Sequence, residues 1–199
     1  MENQSRPARE RGFTLIEMLV VVAILGIAAL LSIPYLSAQI QRSKLLGVAS
    51  QVSGQMRLAR LDAIKYSRNA MVAIDPATRK VNAFSDRNGN SLPDAGEEIG
   101  EVILPKSVTF AEPGGGTGDT SIEGFTTKAG YPRKFALFKS DGAITDTGAF
   151  RFKSEAVGTG APNYLEVNVA PAATARVALR KYESGAFIEN DGAGAWKWN

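Results

Sequence analysis

The sequence has 199 residues and contains neither cysteine nor histidine. Disulfide staples, thiol nucleophiles and imidazole acid–base chemistry are thereby excluded. So are the zinc sites that depend on Cys and His ligands. No Gly-x-Ser-x-Gly element occurs and the acids form no obvious catalytic pair, so no enzyme is expected. A strong charge of one sign is also missing. The net charge is +3, and +1 of it lies in the first twelve residues, where Arg6, Arg9 and Arg11 face Glu2 and Glu10. The remaining +2 is too mild to point to nucleic acid by itself. The absence of cysteine does not place the chain in the cytosol, because a sufficiently large core folds without staples. What is present is 44% hydrophobic and 22% charged residues, a globular composition of a length that suits one domain plus an extra element.

The extra element is the stretch RERGFTLIEMLVVVAILGIAALLSIP, Arg9 to Pro34. From Met18 to Leu31 no side chain is polar, and from Phe13 to Ile33 only Thr14, Glu17 and Ser32 interrupt the apolar run. That is about the ~20 residues a helix needs to cross ~30 Å of hydrocarbon. The arginines precede it, which puts the N-terminus in the cytoplasm and the rest of the chain across the membrane. A secretory signal with a cut near Gly26-Ile27-Ala28 is one alternative, but the apolar pattern runs past that point to Ile33 without a polar region. A plain anchor leaves Glu17 to explain, since a buried acid at a helix centre in lipid costs about 2.5–3.5 kcal/mol. Either Glu17 sits at the interface and favours the positive end of the helix dipole, or it has a cationic partner inside the bilayer or an assembly.

Arg11-Gly12-Phe13-Thr14-Leu15-Ile16-Glu17 resembles the class III signal of type IV pilins and type II secretion pseudopilins. The resemblance implies cleavage by prepilin peptidase between Gly12 and Phe13, N-methylation of Phe13, and retention of the apolar run on the mature chain. It also implies that Glu17 is the assembly residue, pairing with the N-terminal amine of a neighbouring subunit. The physics agrees: cleavage creates an ammonium group of pKa ~7.7–8.0, and two charges costly alone in low dielectric are far less costly paired. Pro34 resembles the family's helix-loosening proline and is expected to break or kink the helix there.

Beyond the span, Leu45, Val48, Ala49, Val52, Met56, Ala59 and Ala63 recur at steps of three and four, one stripe of a helix. Gly47 and Gly54 each lower helix propensity by about 1 kcal/mol. They allow close contact with a neighbour or are simply tolerated. The helix is expected to end near Ser67-Arg68-Asn69. After it the period changes to two. Candidate strands are 70–74, 80–84, 101–104, 107–110, 135–138, 149–152, 164–169, 175–180 and 186–188. Glu112–Ser121 (EPGGGTGDTS) reads as a flexible loop and Ser140-Asp141-Gly142 as a turn.

The expected fold class is therefore α+β, a long N-terminal helix whose first half spans a membrane and whose second half packs against an antiparallel β-sheet domain. The resemblance implies that this arrangement is a pilin-type fold. The chain divides into a leader (1–12), a transmembrane or filament-core helix (13–35), an amphipathic helix (36–68) and a periplasmic β-rich domain (69–199). The strand-turn elements resemble the C-terminal domain of GspH/FimT-type minor pseudopilins, and the missing C-terminal disulfide loop leans away from a major pilin.

What this resemblance implies is a minor subunit of a type IV pilus or type II secretion pseudopilus, priming assembly or forming the tip. It would start in the inner membrane with a periplasmic domain and then enter the filament. Its partners would be other pilin subunits and prepilin peptidase. Alternatives are a major pilin or a DNA-uptake pilin, whose phosphate contacts would be Arg176, Arg180, Lys181 and Lys197; solvated strand-face charges are the simpler reading of these four. No cofactor is required, but DRNGNSLPDAGEE suggests calcium. Asp86, Asn88, Asn90, Leu92, Asp94 and Glu97 stand at positions one, three, five, seven, nine and twelve of an EF-hand-like loop, with Leu92 giving its backbone carbonyl. The sixth-position glycine is replaced by Ser91, and no helix obviously flanks the loop. A self-bonded Asp/Asn/Gly connection is the alternative.

Overall fold

A computed structural model of the chain describes residues 13–155, 162–189 and 196. Two compact units share the chain, Met1–Ser37 and Ala38–Asn199. The first regular element, helix α1 (Leu15–Tyr66), contributes to both. In the first unit every described side chain from Phe13 to Ile33 is exposed. A helix is the backbone form that satisfies its own hydrogen bonds in lipid, and this one is long and apolar enough to cross a membrane. Helical backbone continues through Pro34, so the break expected there is not observed. Proline forfeits one donor and crowds the preceding turn. Opening the helix in an apolar run would leave several more backbone groups without partners.

In the second unit the predicted stripe is the buried face of α1. Leu45, Ala49, Val52, Met56, Ala59 and Ala63 are fully buried and Val48 nearly so, each large member contributing about 1.5–3 kcal/mol by leaving water. A Cβ built on Gly47 or Gly54 would meet nothing, so these glycines are tolerated positions in this fold. The helix ends where Ser67 turns left-handed at φ 50°. The Ser67 amide donates to the Ile64 carbonyl at 3.4 Å and the Arg68 amide to the Ala63 carbonyl at 3.2 Å. This is the paired closure that satisfies carbonyls at a helix end, here with serine where glycine is usual.

Ten strands follow. Four of them, β1 (Ala70–Asp75), β2 (Lys80–Ser85), β3 (Glu98–Ile103) and β6 (Ala136–Phe138), form a sheet in the order β3-β2-β1-β6. The second sheet has the order β10-β9-β8-β7-β4, built from β4 (Val108–Phe110), β7 (Gly148–Ser154), β8 (Tyr164–Val169), β9 (Val177–Glu183) and β10 (Ala186–Glu189), with β5 (Ile122–Gly124) added beside β7. The strand pairings are antiparallel, in registers such as Val72 opposite Ala83 and Val167 opposite Leu179. Alternation along β1 sends Ala70, Val72 and Ile74 into the main core with the helix stripe, and Met71 and Ala73 into a second cluster with Phe84, Phe135 and Leu137. Strand β1 is thus buried on both faces, and Leu92 and Tyr131 pack on the second cluster.

Two further expectations require correction. Glu112–Ser121 ends in a short 3-10 turn, Gly118–Ser121, leading into the unpredicted strand β5. The run Ile122-Glu123-Gly124 carries too little alternation to read as a strand alone, and its pairing with β7 decides it (Ile122 opposite Phe150). Strand β3 begins at Glu98, earlier than the expected 101, immediately after the candidate calcium loop.

Candidate functional site

Thr14 and Glu17 open α1 as a reciprocal pair. The Thr14 amide donates to Glu17 Oε2 at 2.8 Å and the Thr14 hydroxyl to the same oxygen at 2.9 Å. The Glu17 amide donates to Thr14 Oγ1 at 3.3 Å. This is a capping box, in which Thr and an acid three residues on satisfy the otherwise orphaned amides of the first turn. The reading of Glu17 from the sequence missed this role, although Thr-x-x-Glu before an apolar run is its signature. Phe13, directly before the box, is 84% exposed. Gly12, the other side of the predicted cleavage bond, lies outside the described residues. Further along the apolar run, the Ser32 hydroxyl donates to the Ala28 carbonyl at 2.8 Å, so this polar group is met by its own helix.

The four cations considered for DNA are arranged differently. Arg176 makes a two-pronged pair with Glu189, one arm at 3.0 Å, and this bonding raises the guanidinium pKa further. Arg180 reaches Glu166 at 3.3 Å. The same carboxylate, 3% exposed, receives Arg151 at 3.3 Å. Lys181 is 1% exposed and donates to Glu183 at 3.2 Å. Lys197 lies outside the described residues. Three of the four are therefore already opposed by carboxylates, and one is inside the protein.

The candidate calcium residues do share one loop, between β2 and β3. Glu97 Oε1 accepts the Arg87 amide at 2.8 Å and the Asn88 amide at 3.0 Å. Asp86 Oδ2 accepts the Ser91 amide at 3.0 Å. The Asn88 and Asn90 side-chain oxygens accept the Asn90 and Leu92 amides at 3.0 and 2.7 Å. Their amide nitrogens hold Asp94 Oδ2 at 2.9 and 2.6 Å, which lowers the Asp94 pKa, Asn88 contributing most. The self-bonded connection and the calcium spacing are thus features of the same loop. Among the described residues no three Asp, Glu, His or Cys side chains gather closely enough to hold an ion by themselves.

Residues 7–33 match the family model of the prokaryotic N-terminal methylation motif. A pilin-like protein, PilA1 of Thermus thermophilus, is 40% identical over 93 residues, which are 45% of this chain and 57% of that protein. A type IV major fimbrial protein, FimA of Dichelobacter nodosus, is 50% identical over 50 residues, 25% of this chain and 31% of that protein. The chain thus spans from about a third to a little over half the length of these curated relatives. Among solved structures, the minor pseudopilin EpsH of the type 2 secretion system of Vibrio cholerae aligns with a TM-score of 0.41 at 14% identity, covering 72% of this chain and 99% of that one. The type IV minor pilin FimU of Pseudomonas aeruginosa aligns at 0.37 and 13% identity, covering 73% and 93%. The chain carries the prokaryotic N-terminal methylation motif at the start of a long helix followed by antiparallel sheets.

Proposed function

We propose that the chain is a structural subunit of a type IV pilus or type II secretion pseudopilus, of the minor kind, that helps prime the filament or forms its tip. The methylation motif over residues 7–33 carries this reading. In it, prepilin peptidase cuts between Gly12 and Phe13 and the new Phe13 amine is methylated. The exposed apolar helix first lies in the inner membrane with the β domain in the periplasm, and is then covered by neighbouring subunits in the filament. An apolar surface of this size is an interaction surface by default. Glu17 supplies the carboxylate that meets a neighbour's N-terminal ammonium. Its partner charge is created only by cleavage, which ties assembly to processing.

Mass spectrometry of the chain purified from its own cells tests the processing step. The expected mature N-terminus is Phe13 bearing one methyl group, and an N-terminus at Met1 or after Ala28 contradicts it. Filament incorporation tests the assembly step. Glu17→Ala should be processed normally and be lost from sheared filaments; co-purification at the normal level contradicts the role given to Glu17. The minor role predicts few copies beside one abundant subunit, and an abundance equal to the main component contradicts it.

A further inference from the structure

The loop between β2 and β3 contains two buried carboxylates that the filament reading does not use. Asp86 is 4% exposed and Glu97 6% exposed. Each has one oxygen held by loop amides, Asp86 Oδ2 by Ser91 and Glu97 Oε1 by Arg87 and Asn88. The other oxygen of each, Asp86 Oδ1 and Glu97 Oε2, is buried and has no hydrogen-bond partner among the described residues. An unpartnered buried carboxylate oxygen is costly, and here two such atoms occur at the two ends of a single twelve-residue loop.

We propose that this loop is a calcium site, with Asp86, Asn88, Asn90, the Leu92 carbonyl and Glu97 as ligands and Asp94 reached through water. A divalent cation supplies the partner that Asp86 Oδ1 and Glu97 Oε2 lack. The spacing places Glu97 at the position whose two oxygens bind calcium together, and Asp94 at the position that commonly binds through water. The donors are carboxylate, amide and carbonyl oxygens, the hard set that calcium takes, without the sulfur or imidazole that zinc and copper favour.

The missing glycine at the sixth position is accounted for. Ser91 adopts the left-handed conformation itself, at φ 54°. Its amide is fastened to Asp86 and its hydroxyl accepts the Asn69 side-chain amide at 2.8 Å. Leu92 is fixed by packing on the second cluster beside Tyr131, which holds the carbonyl-bearing residue in place. Each asparagine oxygen accepts one loop amide and keeps a second lone pair for an ion, while the amide nitrogens hold Asp94 outside. The Lys128 ammonium donates to the Asn90 backbone carbonyl, an oxygen the ligand set does not need. Binding joins the end of β2 to the start of edge strand β3, so calcium stabilises the folded β domain by favouring it over the unfolded chain.

The test uses the mature full-length chain in detergent micelles, stripped with chelator and titrated with calcium chloride, and separately with magnesium chloride. One calcium ion per chain is expected, with a Kd of about 10⁻⁴ M, the range of extracellular modules. Saturating calcium should raise Tm by about 5 °C. Glu97→Gln and Asp86→Asn should each weaken binding by more than about 10-fold, while Glu101→Gln, on an exposed neighbouring acid, leaves it unchanged. No calcium heat and no Tm shift in the unaltered chain overturn the proposal. So does a Glu97→Gln chain that binds equally well, or an equal response to magnesium. Should both variants fail to fold, terbium emission sensitised by Tyr131 in the unaltered chain decides: displacement by calcium supports the site, and absence of displacement overturns it.

Discussion

Thr14 and Glu17 hold one another at the start of α1: the threonine amide and hydroxyl both converge on Glu17 Oε2 at 2.8 and 2.9 Å, and the Glu17 amide returns a bond to Thr14 Oγ1 at 3.3 Å. The carboxylate assigned to assembly therefore also sets where the helix begins. One of its oxygens, Oε2, is occupied by its own chain; in the proposed assembly the carboxylate would also meet a neighbour's ammonium. The two roles can be separated by experiment.

Thr14→Val removes the hydroxyl and weakens the cap, at about 1 kcal/mol. The first turn should fray. Amide exchange of Glu17 and Met18 in micelles is expected to accelerate, while the exchange of amides in the β domain stays the same. Unchanged exchange at both positions would show that the cap contributes nothing there.

Glu17→Gln keeps an oxygen that can accept from Thr14 but removes the charge. Helix-start exchange should stay near that of the unaltered chain, and incorporation into filaments should fall as for Glu17→Ala. If Glu17→Gln assembles normally, the cap alone explains the residue and the charge pair is wrong.

Phe150 is fully buried and packs on Phe125 with ring centroids 4.8 Å apart. Phe150→Ala should lower unfolding free energy by about 3–5 kcal/mol, the cost of removing a large core side chain. Leu61→Ala, on an exposed part of the helix, should stay within about 0.5 kcal/mol. Urea unfolding of the two variants in parallel measures the contrast.

Asp75 closes the turn between β1 and β2. Its Oδ2 accepts the Thr78 hydroxyl at 2.6 Å and its Oδ1 the Ala77 amide at 3.1 Å. The Thr78 bond is the main cause that holds its pKa below the ordinary aspartate value; the turn amides and Arg133 add to it against some desolvation. A depressed carboxylate pKa contributes stability that is present above the unfolded value of about 3.9 and is lost as pH falls through the folded pKa. Thermal unfolding followed from neutral to acid pH should therefore show a smaller acid loss in Thr78→Val than in the unaltered chain. An identical acid limb would remove Asp75 as a contributor.

Arg176, Arg180 and Lys181 are each opposed by a carboxylate, so they offer phosphates little uncompensated charge. Gel shifts at low and moderate salt should show no salt-sensitive retention of DNA. Retention that is weakened by Arg176→Ala and Arg180→Ala together would restore the DNA-uptake alternative.

Much of this was legible in the sequence because it depends on local pattern. The buried stripe from Leu45 to Ala63 follows from helical periodicity, and the β1–β2 hairpin from alternation around Asp75-Pro76. The Arg11–Glu17 motif is contiguous, so its recognition needed no tertiary information. The capping box was also written there, as Thr14 and Glu17, but was hidden behind the stronger question of an acid in an apolar run. Strand β5 was not legible, because Ile122–Gly124 is a strand only by pairing with β7. Nor was the continuous helix through Pro34, where the cost of opening several backbone bonds exceeds that of losing one.

The sequence by itself determined the apolar N-terminal helix, the helix stripe, most strands and the order of oxygen donors from Asp86 to Glu97. These depend on residue type at short spacing, which the chain carries directly. Only the tertiary structure decided which charges remain available. It placed Lys181 inside and set Arg176 and Arg180 against Glu189 and Glu166. It also left Asp86 Oδ1 and Glu97 Oε2 buried without partners among the described residues. Burial and pairing arise between residues distant along the chain, and no local pattern specifies them.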